Sequence, residues 1–340
     1  MATLKDISAE LGLSVATVSR ALNGYPEVSL RTRDRVRQTA ARLGYQPNRV
    51  AQRLVTGRSG MVGMIVRIKP DMTSDRTFFE TLAGLTAALS AREVDLVLAV
   101  DQGRDPVAPY KRLLERDILD GFILNAPVTN DPRVAFLREE GIPFVVHGTD
   151  RPAPDYPFYS IDNAAVSARA VQMLANLGHR RIALINGAPQ QAYAADRLAG
   201  FVAAMTARGL AAGPVVQGAE VESDGYAHAL DLLARADAPT AFVCVTTVIA
   251  AGVLKAVRDR GLRVPEDVSV MAHDDALPQM RAINLIPPLT VTRAPLRDAC
   301  APLANILLDH LGGVPAAQLQ VMQEIDTIVR GSTGPAPQGE

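Results

Sequence analysis

Beyond Gly60, short apolar runs alternate with helix-periodic segments, and no other feature constrains the fold of this chain as strongly. Residues 61–66 read as a strand, 78–92 as a helix, 95–100 as a strand, 109–116 as a helix, 121–124 as a strand, 132–140 as a helix and 144–147 as a strand. This is the βαβαβ pattern of a parallel, doubly wound sheet. A second round follows, with helices at 163–177, 196–208, 224–234 and 248–260 and strands at 182–185, Val215, 241–245 and 268–272. Two such units in succession predict two lobes with a ligand cleft between the carboxyl ends of their strands. With 340 residues, 48% of them apolar, the chain has enough matter to bury real cores, which excludes a disordered chain. The longest stretch without a charge, 238–254, is broken by Thr246 and Thr247 and reads as a strand and a helix rather than a membrane span.

The net charge of −1 conceals an uneven distribution. Residues 1–60 carry ten Lys and Arg against four Asp and Glu, which leaves 25 of 35 basic and 32 of 36 acidic residues for the rest. A basic head on an acidic body fits a head that meets a polyanion. It fits a solvated, Arg-rich helical face as well, and charge alone does not separate the two.

The head reads as three short helices. Thr3 is placed to cap the first, with Asp6 at the capping-box position and Leu4, Ile7 and Leu11 at helical spacing before Gly12. Ser14 caps the second, which buries Val18 and Leu22 and so turns Val15, Ala16, Ser19 and Arg20 outward. The third starts near Ser29, carries Val36, Ala40 and Leu43 inward, and stops at Gly44. The tight Gly12-Leu13-Ser14 connection makes the first two a helix-turn-helix. Short side chains plus one arginine form a face able to approach base edges, because Arg grips guanine O6 and N7 and small apolar groups suit thymine methyls.

The segment TLKDISAELGLSVATVSRALNG, continued by GYQPNRVAQRLVTGRSGMVGMIV, resembles the headpiece, hinge helix and first core strand of the LacI/GalR family of bacterial repressors. Landmarks further on, SIDNAAVSARAVQMLANLGHRRIALING, RLAGFVAAM, VPEDVSVMAHDD, PPLTVTR and VRGST, extend the similarity over essentially the whole chain. The resemblance implies an N-terminal all-α helix-turn-helix headpiece followed by an α/β periplasmic-binding-protein-like core of two doubly wound lobes. Chain crossovers between the lobes are expected near Tyr159-Ser160, 289–292 and Val321-Met322. The implied boundaries are 1–46 for the headpiece, 47–59 for a hinge helix and linker, and 60–332 for the core. Within the core the first lobe takes about 60–159 and 290–321 and the second about 160–289 and 322–332. A flexible Gly/Pro tail is expected over 333–340.

The implied DNA contacts come from Thr3, Ser14, Val15, Ala16, Thr17, Ser19, Arg20 and Asn23 of the head and from Asn48, Arg49, Val50, Ala51 and Leu54 of the hinge. Asn48 is suited to cap a helix over 49–56, with Val50, Ala51 and Leu54 on one face. A helix this short is marginal alone, so it is expected to form with its dimer mate on DNA and to wedge Leu54 into the minor groove. For the effector, the resemblance points to Arg197 and Asp274, with His147 and Thr246 beside them. Each has a plainer reading: a solvated helix-start arginine, a capping aspartate, a structural histidine. Thr246-Thr247 stands where many family members have Asn-Asp, so effector chemistry does not carry over there. AHDD at 272–275 and His147-Gly148 look most like the α-glucoside-responsive branch.

Enzyme motifs are missing: there is no GxGxxG after a strand, no phosphate loop, no GxSxG elbow, and the five histidines lack metal-ligand spacing. Cys244 and Cys300 are too few for a disulfide framework or a zinc site and read as reduced thiols. No cofactor and no metal are expected. A transport binding protein of this fold would carry a signal peptide and lack the headpiece. The opening MATLKDISAE has no basic-then-apolar leader, which favours the cytoplasm. The sequence thus predicts a repressor of sugar-utilisation genes that binds double-stranded operator DNA as a homodimer, having no C-terminal leucine heptad, and leaves it when a small sugar binds. A corepressor-dependent regulator of the same fold and, further off, a sugar-binding protein without DNA function remain as alternatives.

Overall fold

Thr3 opens the first helix of the computed structural model with both halves of a capping box. Its Oγ1 accepts from the Asp6 amide at 3.4 Å, and the Asp6 carboxylate accepts from the Thr3 amide at 2.7 Å. This helix, α1 (Leu4–Leu11), ends on Gly12 at φ +65°, the left-handed conformation that glycine adopts without penalty. Ser14 then accepts from the Thr17 amide at 3.0 Å to start α2 (Val15–Leu22), and Ser29 caps α3 (Leu30–Arg42). The three helices enclose Ile7, Val18, Ala21, Val28, Val36 and Ala40. Ala21, rather than Leu22, is the fully buried partner of Val18, since the i+3 position lies on the inner line of the stripe and Leu22 packs at its rim.

The structure describes residues 2–22, 25–45, 58–67, 76–101, 103 and 105–337. It divides into two units, Met1–Ser59 and Gly60–Glu340. The expected sites Asn23, Asn48, Arg49, Val50, Ala51 and Leu54 lie outside the described residues.

In the larger unit the first round supplies β1 (Met61–Arg67), α4 (Arg76–Ser90), β2 (Asp95–Asp101), α5 (Ala108–Leu114), β3 (Gly121–Asn125), α6 (Pro132–Glu139), β4 (Phe144–His147) and β5 (Phe158–Ile161). The second supplies α7 (Asn163–Asn176), β6 (Ile182–Ile185), α8 (Ala192–Ala207), β7 (Val215–Val216), α9 (Glu222–Leu233), β8 (Ala241–Cys244), α10 (Thr247–Asp259), β9 (Ser269–Asp274) and β10 (Thr290–Arg293). The chain then returns through α11 (Leu296–Leu311) and β11 (Gln320–Gln323) before closing on β12 (Asp326–Ile328). One sheet has the order β11-β5-β4-β3-β1-β2 and the other β12-β10-β9-β8-β6-β7, each six-stranded. Among the described strands of the two sheets, only the β10–β12 pair is antiparallel. Helices cover both faces, which is why β6 and β8 are unbroken apolar runs with every residue buried.

Two expectations are corrected. The chain leaves the sheets one residue beyond each expected crossover segment, after Ile161, Arg293 and Gln323. β10 pairs with β9 and β12, so it belongs to the second lobe and not to the first. The tail is not loose as far as 337: Ser332 is fully buried, and the Ala336 amide donates to Leu177 O at 2.8 Å. The segment is held against β9 by Ser332, which bonds Val270, and by the Gly334 amide donating to Ser269 Oγ at 3.0 Å. Among the described residues, no helix is long and apolar enough to cross a membrane.

Candidate functional site

On the head, α2 presents Val15, Ala16 and Arg20 to solvent, with Ser19 and Thr17 half-buried between them. Ser14 and Thr17 share a hydroxyl hydrogen bond of 2.8 Å at its first turn, and Thr3 stands exposed at the start of α1. The outward face expected from the sequence is therefore formed by side chains whose backbone is fixed at both ends, by the Ser14 cap and by the Tyr25 amide donating to Arg20 O at 3.0 Å. On α3, Arg31, Arg35, Arg37 and Arg42 are exposed, with Arg42 paired to Glu10.

In the core, Arg197 is not a solvated helix-start arginine. It projects from the second turn of α8, is only 6% exposed, and donates from Nε to Asn163 Oδ1 at 3.0 Å and from Nη1 to Val245 O at 2.7 Å. The Tyr193 ring lies 5.2 Å from its guanidinium carbon, one turn earlier on α8. Gly200, one turn beyond, lets α8 close on α7, because a Cβ there would run into the Ala164 main chain. Burial lowers the guanidinium pKa and the charge of Asp275 opposes that shift.

The adjacent carboxylates at the end of β9 divide the work. Asp274 accepts from the Ala276 amide at 2.8 Å, closing a turn in the loop after β9 instead of capping a helix, and sits 3.7 Å from Arg293 Nε. Asp275 is the one in the field of Arg197. Burial pushes its carboxyl up to about 6; Arg197 pulls it down and Asp274 pushes it up further. Beside it, His273 is 1% exposed, shares Nδ1 with Thr292 Oγ1 at 3.1 Å, and brings Nε2 within 3.6 Å of Asp275 Oδ1. Burial, with Arg197 nearby, holds the imidazole well below its usual pKa, so it is neutral. Among the described residues, His273 Nε2, Asn186 Oδ1 at the end of β6 and Gln191 Oε1 at the start of α8 are buried without a hydrogen-bond partner.

Thr246 caps α10, its Oγ1 accepting from the Ile249 amide at 3.3 Å, one residue beyond the carbonyl that Arg197 holds. His147 ends β4 in the first lobe, half-buried, with Nδ1 2.9 Å from Asn125 Oδ1 across the β3–β4 register. Desolvation pushes its pKa down to about 4. Arg197 and Thr246 thus share one cluster, Asp274 stands at its edge, and His147 belongs to the opposite lobe. Sequence reasoning weighed Asp274 and Asp275 together and preferred Asp274; it missed Asn125, Asn163, Tyr193 and His273. For Asn125 and His273 the polar residue near the end of a buried strand was the available signal.

Known proteins share this architecture end to end. The family model "Bacterial regulatory proteins, lacI family" matches residues 3–48, and a periplasmic binding protein-like domain matches 171–333. The HTH-type transcriptional regulator AglR of Rhizobium meliloti (strain 1021) is 40% identical over 98% of this chain and 95% of its own. This chain belongs to the lacI family. The regulator RafR of Escherichia coli is 32% identical over 83% of this chain and 84% of its own. Among solved structures, the transcriptional regulator CelR–cellobiose complex superposes with a TM-score of 0.72 at 29% identity, covering 98% of this chain and all of that one. The lac repressor dimer bound to operator and the anti-inducer ONPF superposes at 0.80 with 24% identity over 98% and 99%, a likeness of fold. As a lacI-family protein the chain is an HTH-type transcriptional regulator, and the family is one of regulators rather than enzymes.

Proposed function

We propose that this regulator is a cytoplasmic, homodimeric repressor whose operator is released when a small sugar, an α-glucoside by the AHDD and His147-Gly148 resemblance, enters the core cleft. The outward face of α2, with Arg20 exposed beside Val15 and Ala16, carries the reading. Two-fold protein symmetry calls for a pseudo-palindromic operator. Thr3, Ser14, Thr17, Ser19 and Asn23 serve the phosphates and groove edges, while Asn48, Arg49, Val50, Ala51 and Leu54 form the hinge contact in which Leu54 wedges the minor groove. Arg20→Ala is expected to cost about 1–3 kcal/mol on the operator and to relax base preference at one position per half-site. Selection of bound sequences from a random pool checks this, and an unchanged preference rejects the assignment.

Arg197 and Asp275 contact the effector hydroxyls, with His147, Thr246 and Asp274 around them. The unpartnered acceptors Asn186 Oδ1 and Gln191 Oε1 suit a ligand rich in O–H donors. A relative of the same fold holding cellobiose, a β-linked disaccharide, supports a small sugar as the ligand and leaves the α-linkage to the AHDD and His147-Gly148 resemblance. Binding shifts the dimer only by its differential affinity for the two states. A thermal-shift screen against mono- and disaccharides identifies the effector by the rise in Tm. Arg197→Ala is expected to bind it about 1.5–3 kcal/mol more weakly by calorimetry. Wild-type affinity in that variant refutes the site.

A further inference from the structure

The loop that follows β3 reaches across to the second lobe and joins it by main-chain hydrogen bonds. The Ala192 amide donates to Pro127 O at 3.0 Å and the Thr129 amide to Gln190 O at 3.3 Å, with Val128 and Gln191 paired antiparallel between them. These bonds run from backbone to backbone and need no ligand to form. The loop itself is rigidly held. Asp131 Oδ2 accepts from the Val128 amide at 3.0 Å, the Asp131 amide donates to Asp150 Oδ2 at 2.9 Å, and the Tyr156 hydroxyl donates to Asp150 Oδ1 at 2.6 Å. Arg133 Nη2 donates to Asp131 at 2.6 Å, and both aspartates are 2% exposed. Two non-glycine residues of the loop, Ala126 at φ 47° and Asn130 at φ 52°, are held in the left-handed region, as happens where surrounding contacts over-determine the backbone.

On the far side, Ala192 is the first residue of α8, the helix that carries Tyr193 and Arg197. We infer that the 126–131 loop is a positioning element: through Pro127 and Ala192 it fixes the first turn of α8, and with it Arg197, relative to the first lobe. The effector role of Arg197 comes from the proposed function, whereas the tie itself stands without it.

Val128 and Gln191 occupy the non-hydrogen-bonded site of the bridge, where Cα atoms approach to about 4.5 Å, close enough for a disulfide. In the full chain with no sugar added, Val128→Cys combined with Gln191→Cys is expected to lose both introduced thiols to an intramolecular disulfide on mild oxidation. Adding Ala192→Pro removes one bridging donor at a helix position that accepts proline, and bridging is expected to slow about tenfold. In wild-type protein the Ala192 amide, which has no acceptor within its own helix, is expected to exchange slowly with solvent. The Arg197 Nε–H resonance is expected to shift in Ala192→Pro while the amides of Ile182–Ile185 keep theirs. Introduced thiols that stay reactive, free exchange at Ala192 in the wild type, or an unmoved Arg197 resonance each overturn the inference. None of these measurements uses a sugar, so they stand or fall separately from the effector assignment.

Discussion

Ser332→Ala is expected to destabilise the core by about 2–6 kcal/mol, and deletion of residues 332–340 to unfold the second lobe. The Ser332 hydroxyl donates to Val270 O at 2.6 Å and accepts from the Thr290 amide at 2.8 Å, while its carbonyl accepts from the Val270 amide at 2.8 Å. It therefore satisfies the main chain of β9 and β10 where the two strands begin. Alanine leaves a buried donor and a buried acceptor open, each worth about 1–3 kcal/mol. Deletion also strips Gly334, whose amide donates to Ser269 Oγ at 3.0 Å and whose carbonyl lies 3.1 Å from His179 Nε2. His179 would keep only Thr240 and Ser269 among those partners. Against a total stability of about 5–15 kcal/mol, that sum is decisive. Urea unfolding followed by circular dichroism checks it, and a wild-type midpoint for Ser332→Ala would reduce the segment to an ornament.

That segment also marks where the sequence stops being legible. Local chemistry was readable: Thr3 with Asp6, Gly12, Ser14 and Ser29 each act on residues at most three or four away, and all were found in place. Buried parallel strands such as Ile182–Ile185 show as apolar runs and were located to the residue. The returning elements were not. Helix α11 contains Pro302, which interrupts a helical reading, and β11 and β12 are short edge strands whose partners lie more than a hundred residues earlier or across a crossover. Residues 330–336 look like loop because Gly331, Gly334 and Pro335 punctuate them, yet their fate is decided by Ser269, Thr290 and His179, far off in sequence. The same limit applies at the cleft. Asp274 ends β9 and Asp275 is the next residue, and only the tertiary fold says which of the two lies in the field of Arg197.

Asp275→Asn is expected to stabilise the core by on the order of 3 kcal/mol at pH 7 while weakening effector binding. The carboxyl titrates at about 6 in the fold against 3.8 in the unfolded chain, chiefly through burial. A raised folded pKa means that the unfolded chain loses its proton first as pH rises. The stabilising contribution of the protonated form is therefore complete below about pH 4 and is lost as pH climbs through about 6. With 17% of the side chain exposed, little of the effect is screened. Asparagine keeps the shape without the charge, so the two proteins should match in stability near pH 4 and diverge as pH approaches 7. Denaturant midpoints across that range test this, and parallel curves for the two proteins would dismiss it. Arg197 does not offset the cost of the ionised group, since the shift remains upward with the arginine in place. A buried carboxylate that the fold alone does not stabilise is what a binding site retains for its ligand. Under the effector assignment, sugar hydroxyls donating to Asp275 supply the missing interactions. Effector should then raise the Tm of the wild type more at pH 7 than at pH 4.5, and raise that of Asp275→Asn by a smaller amount with no such dependence on this carboxyl.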